Sequence, residues 1–128
     1  MSTVTLRIPG QPVFVRVARL AVSATASCAG FGVEQIDEIK QSVGEACLNA
    51  VETVQKVGAG DVTIECHIQD NRMTIEVSPV AGLRPDEFHE DDLTSYEYYL
   101  IKTLMDEVEI EHGATGQDLI RMTRSCAR

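Results

Sequence analysis

Apolar and polar residues alternate through Val4-Thr5-Leu6-Arg7-Ile8, the period of a half-buried strand, and Pro9-Gly10 ends the run. From Gln11 to Cys28 the period lengthens. Val13, Val17, Leu20, Ala21 and Ala24 recur at helical spacing, Pro12 suits a first helical turn, and Ala29-Gly30-Phe31-Gly32 closes the element. Residues 33 to 57 predict the clearest helix, with Ile36, Ile39, Val43, Cys47, Ala50 and Val54 inward and Gly58-Ala59-Gly60 at its end. The opposite face carries Glu38, Ser42, Glu45, Asn49, Glu52 and Lys56.

The period then becomes two. Val62, Ile64, Cys66 and Ile68 alternate with polar residues, Asp70-Asn71 makes a tight turn, and Met73, Ile75 and Val77 alternate again, which predicts an antiparallel hairpin with one apolar face. Residues 79 to 94 have no period and read as a long loop. A third helix follows over about 95–106, with Tyr99, Leu100, Thr103 and Leu104 inward. Val108 and Ile110 then alternate with Glu107, Glu109 and Glu111, the chain turns at Gly113-Ala114-Thr115-Gly116, and Leu119 to Thr123 forms the last strand. The order predicts an α+β sandwich, one antiparallel or mixed sheet covered on one face by about three helices. A length of 128 residues fits one domain over 1–128.

Charge narrows the function classes. The net charge is −9, which argues against nucleic acid or anionic lipid as the main partner. The distribution is uneven. Residues 1–32 hold Arg7, Arg16 and Arg19 and no acid, whereas all twenty acids lie in 33–118, five of them among the seven residues 86–92. Basic ends around an acidic middle imply either internal pairing or a bipolar surface for protein partners. Arg16 and Arg19, three apart on the first helix, are placed to grip an acidic partner or an acid of the same chain. Cys28, Cys47, Cys66 and Cys126 have no metal-ligand or redox spacing, and Cys47 and Cys66 fall on apolar stripes as small core residues. His67, His89 and His112 likewise lack metal-ligand spacing. No leader-like segment or long apolar run is present, so a cytoplasmic chain is expected.

The most informative unit is Ser42-Val43-Gly44-Glu45-Ala46-Cys47-Leu48-Asn49-Ala50-Val51-Glu52. Glu45 and Asn49, four apart, project from one helix face. A carboxylate there suits a general base, and an amide oxygen suits a hard cation such as Mg²⁺. On spacing alone, Glu and Asn on an exposed helix face are usually only solvated.

This helix, the hairpin ending in Val77-Ser78, and the later Tyr99-Leu100-Ile101-Lys102-Thr103-Leu104-Met105-Asp106-Glu107-Val108 occur in a fixed order. Together they resemble the anti-sigma-factor serine/threonine kinases of the GHKL ATPase superfamily, over roughly residues 4–123. The resemblance implies the Bergerat two-layer sandwich and a site for ATP and Mg²⁺. It makes Glu45 the catalytic base and Asn49 the metal and cofactor ligand, and Gly82 a displaced remnant of the first glycine box. It also implies a lid over about 79–94, a family that often forms homodimers, and a sigma factor or STAS-type antagonist as protein partner. The acidic surface suits basic segments of such a partner.

The glycine boxes depart from the family pattern. The first, an Asp-x-Gly, stands here as Pro79-Val80-Ala81, without an adenine acceptor, and proline also lacks an N–H. The second reads Ser95-Tyr96-Glu97-Tyr98, where side chains restrict the close approach of phosphate to backbone. Each like-charge contact at ~4 Å costs about 4 kcal/mol at an effective dielectric near ~20, so an acidic lid opposes an anionic nucleotide. The expectation is therefore a partner-switching regulator of transcription with weakened or lost ATP binding. An active Mg-ATP-dependent serine kinase and a small-ligand sensor are the alternatives.

Overall fold

Strand β1 (Ser2–Pro9) lies antiparallel to β2 (Asp61–Gln69), which turns into β3 (Arg72–Val80). The structure is a computed structural model that describes residues 1–58, 60–83, 93–113 and 117–126. Asp70 and Asn71 have φ of 50° and 64°, the left-handed pair that a two-residue hairpin needs to match strand twist. Strands β4 (Glu107–His112) and β5 (Asp118–Ser125) complete one sheet in the order β1-β2-β3-β5-β4, with every neighbouring pair antiparallel. The register between β3 and β5 shifts between Val77 and Val80, a local irregularity after which Val80 still pairs with Asp118.

Helices α1 (Val15–Cys28), α2 (Val33–Lys56) and α3 (Leu93–Leu104) complete the α+β fold, and a short 3-10 turn over Pro12–Phe14 leads into α1. Ile39 and Ile101 from the helices and Ile64, Ile75, Ile120 and Met122 from the sheet are fully buried between them. Cys47 and Cys66 belong to this core, and burial pushes their thiols up to about 12 and about 11. They are inert packing groups, as their apolar stripes predict.

Three inward faces differ from the pattern-based expectation. On α1 the buried residues are Val15, Ala18, Val22 and Ala26, while Val17, Leu20 and Ala24 face outward. This helix is apolar on two sides, and docking against α2 and the sheet selects between them. On α3 the buried residues among those described are Tyr98 and Ile101, followed by Met105 just past its end, so Tyr99 and Thr103 are exposed instead. On α2 the expected apolar stripe is inside, but Ser42 and Asn49 are buried as well, because α3 packs on α2. The acidic run 86–92, His89 and most of the 79–94 loop lie outside the described residues.

The sheet's other face carries charge. Arg121 donates to Glu76 through Nε at 3.0 Å and Nη2 at 2.8 Å, to Glu111 at 2.6 Å and to Glu109 at 3.4 Å. His67 Nε2 lies 2.9 Å from the other Glu76 oxygen. On the helix side, Arg124 bridges Glu38 and the Leu104 carbonyl. Arg121 and Arg124 of the basic C-terminal segment are thus paired internally. Burial alone would push the Glu76 carboxyl up, but the hydrogen bonds from His67 and Arg121 outweigh it and hold it below its usual 4.5. A depressed carboxyl stabilises the fold above its unfolded pKa, and that stability is lost as pH falls through the folded value. Thermal melts of wild type and Glu76→Gln should therefore differ at neutral pH and converge between about pH 5 and 3.

Candidate functional site

The predicted site residues lie on the side of α2 that meets the end of β3. Glu45 and Asn49 share this side, as their spacing of four requires. Glu45 is half-buried and forms no hydrogen bond or ion pair among the described residues. Asn49 is only 4% exposed, and its side chain is committed. Its Nδ2 donates to the Ala81 carbonyl at 3.0 Å, and its Oδ1 accepts from the Ala81 N–H at 3.1 Å. Thr53, one turn on, donates its hydroxyl to the Asn49 carbonyl at 2.8 Å and lies 3.5 Å from Asn49 Oδ1.

Gly82 follows directly, exposed and with φ of 72°, a conformation that glycine adopts without strain. Val80 and Leu83 on either side are buried, so the chain leaves β3, turns at Ala81-Gly82 and returns to the core. Sequence reasoning locates Glu45, Asn49 and Gly82 but not the pairing of Asn49 with Ala81. That contact spans 32 positions and uses only the main chain of Ala81, which no side-chain motif records. Thr53 was missed too, although its place four residues after Asn49 is a readable signal.

A cleft of about 360 Å³ opens between the last turns of α2, the start of β2 and the end of β3. Thr53, Val57, Asp61, Ser78, Pro79 and Ala81 are among its lining residues, whereas Glu45, Asn49 and Gly82 are not. Asp61 is the only charged side chain among the described residues that line it. No described group of His, Cys, Asp or Glu is arranged to hold a metal ion. Residues 95–98, at the position of the second glycine box, are helical, within α3.

A second feature lies on α1 and the turn before it. Val13, Val17 and Leu20 are 70%, 44% and 59% exposed and follow one another at helical spacing. Arg16 and Arg19 flank them, and neither they nor Lys40 forms an ion pair among the described residues. Arg16, Arg19, Leu20 and Lys40 enclose a groove of about 300 Å³. The stem of Arg19 crosses α2 at Gly44, with Cδ 3.2 Å from where a β-carbon would stand.

Comparison with known proteins fits this architecture. Residues 8–124 match the model of the histidine kinase-like ATPase domain. The chain belongs to this family. It is 32% identical over 122 residues to the serine-protein kinase RsbW of Listeria innocua, covering 84% of this chain and 78% of the relative. It is 29% identical over 124 residues to the serine-protein kinase RsbW of Bacillus subtilis, covering 85% and 78%. Among solved structures, the RsbU and RsbW domains of a Mycobacterium tuberculosis protein superpose with a TM-score of 0.74 at 19% identity. That match covers all of this chain and 33% of the other, and it shows the shared fold. No helix among the described residues is long and apolar enough to cross a membrane.

A family of ATPase domains implies a nucleotide and its metal at this end of α2. The donors among the described residues do not fit them. The Asn49 amide oxygen, expected from the resemblance to hold the metal, is turned onto a main-chain N–H, and the neighbouring cleft offers one carboxylate and no described cation to a phosphate chain.

Proposed function

We propose that this chain is a partner-switching regulator that binds a sigma factor or a STAS-type antagonist through α1, and that it does so without ATP. The observation that carries this reading is the exposed stripe of Val13, Val17 and Leu20 bordered by three cations that form no ion pair among the described residues. Contiguous exposed apolar residues with a charged rim mark protein interaction sites. The apolar residues supply area to be desolvated, while Arg16, Arg19 and Lys40 select the partner and steer its approach. The complementary segment is an amphipathic helix with acidic flanks. The acidity of the whole chain suggests a basic partner, but this surface is the basic exception to it. The similarity to RsbW kinases supports the same general role.

The kinase alternative requires Asn49 to release Ala81 and the cleft to accept a triphosphate beside Asp61. Size-exclusion chromatography with purified sigma factors and STAS-domain proteins of the source cell decides between the readings. A stable complex with one of them in nucleotide-free buffer is the expected result. Complex formation only with Mg-ATP, or transfer of phosphate to a serine of the partner, overturns the nucleotide-free reading. No complex with any of them overturns the regulator reading as well.

A further inference from the structure

One buried side chain takes up both hydrogen-bonding groups of the Ala81 main chain. Asn49 accepts from the Ala81 N–H at 3.1 Å and donates to the Ala81 carbonyl at 3.0 Å. A single amide has one oxygen and one NH₂ group, and here both point at the same residue. The oxygen has two lone-pair directions. The Ala81 N–H takes one, and the Thr53 hydroxyl stands 3.5 Å away on the same oxygen. A divalent cation needs that oxygen free and facing an open site. Asn49 is 4% exposed and its oxygen already accepts from Ala81, so it does not face an open site as a free ligand.

The surroundings reinforce the contact. The ladder to β5 shifts register after Val77 and ends at the Val80–Asp118 pair, so Ala81 lies just beyond the sheet. Val80 and Leu83 enter the core on either side of Ala81, and Gly82 supplies the left-handed turn between them. The Asn49 amide pair lies between these two apolar anchors. Thr53 holds the same stretch of α2 through its bond to the Asn49 carbonyl. The turn over residues 80–83 is thus fastened to α2 by the chain's own groups.

We propose that Asn49 is an internal clamp that fixes the exit of β3 on α2 and makes the folded form of this domain independent of nucleotide and metal. The residue at the metal-ligand position has a structural task in this chain. Control of the domain then rests on partner binding alone, without a nucleotide-driven rearrangement at this turn. The clamp stands on contacts remote from α1, so it holds or fails separately from the proposed partner surface.

Hydrogen exchange of the Ala81 amide, followed by NMR on the full chain, tests it. In wild type the protection should be the same with and without millimolar Mg-ATP. In Asn49→Asp one carboxylate oxygen replaces the donor that faces the Ala81 carbonyl. Ala81 protection should fall by roughly tenfold to a hundredfold, and Mg²⁺ should not restore it. Two outcomes overturn the clamp: a change in wild-type Ala81 protection on adding Mg-ATP, or a Tm of Asn49→Asp that Mg²⁺ raises. If Asn49→Asp does not fold, the wild-type comparison decides by itself. Failure to find a sigma-factor or STAS complex would leave both measurements unchanged.

Discussion

Leu20→Asp is expected to weaken partner binding by about a hundredfold while leaving Tm within about 2 °C of wild type. Leu20 is 59% exposed, and the buried residues of α1 are on its other side, so the core does not sense the change. At an interface the loss has two sources. An apolar anchor is removed from the centre of the stripe, which costs about 2 kcal/mol or more where the anchor is a hot spot. The new carboxylate also stands beside Arg16 and Arg19 and competes with the partner's acids for them. Leu20→Ala removes only the first source and should lose about tenfold. Arg16→Ala should act mainly on the association rate, with an effect that shrinks as salt is raised. Calorimetry with the captured partner measures all three. An unchanged affinity for Leu20→Asp would place the docking face elsewhere on the domain.

Gly10→Ala should lower stability by about 2–4 kcal/mol, a fall of roughly 10 °C in Tm. A β-carbon at position 10 would stand 2.1 Å from Val54 Cγ2 and 2.7 Å from the Gly60 carbonyl oxygen. Val54 is packed in the core at the end of α2, and Gly60 is main chain. Neither yields without separating the two connections that cross here, which the Gly10 N–H bond to Gly60 at 2.9 Å holds together. Gly44→Ala makes the contrast. Its nearest neighbours are the Cδ and Nε of Arg19 at 3.2 and 3.3 Å, parts of a flexible exposed side chain that can swing aside. Alanine also favours a helix interior over glycine by up to about 1 kcal/mol, so Gly44→Ala should be neutral or slightly stabilising. Differential scanning calorimetry of the two variants distinguishes backbone collision from side-chain displacement. Equal losses in both would refute this account of Gly10.

Local pattern made much of this fold legible before any coordinates. The alternation of Val62, Ile64 and Cys66 with Thr63, Glu65 and His67 reads directly as β2, because side chains alternate across a strand. Asp70-Asn71 reads as a tight turn because both residues tolerate positive φ. The α2 stripe is legible because polar residues clearly separate its apolar positions. The third helix is less so. Tyr98-Tyr99-Leu100-Ile101 is apolar at four successive positions, so periodicity cannot select Tyr98 and Ile101 as the buried pair. Tertiary packing against α2 makes that selection.

The candidate site divides in the same way. Glu45 and Asn49 stand on one helix face because 3.6 residues per turn places them there, whatever the rest of the chain does. Pro79-Val80-Ala81 is likewise a local reading, which the resemblance sets against the first glycine box. Where the Asn49 amide goes depends on a main-chain group 32 residues away, just past the end of β3. The same holds for α1. Its two apolar faces are equivalent as sequence, and contact with α2 buries Val15, Ala18, Val22 and Ala26 and leaves Val17 and Leu20 in solvent. Spacing and punctuation thus settle which elements form, since these act over a few residues. The choice of buried face and the partner of a buried amide arise from contacts between distant segments, and only the assembled fold decides them.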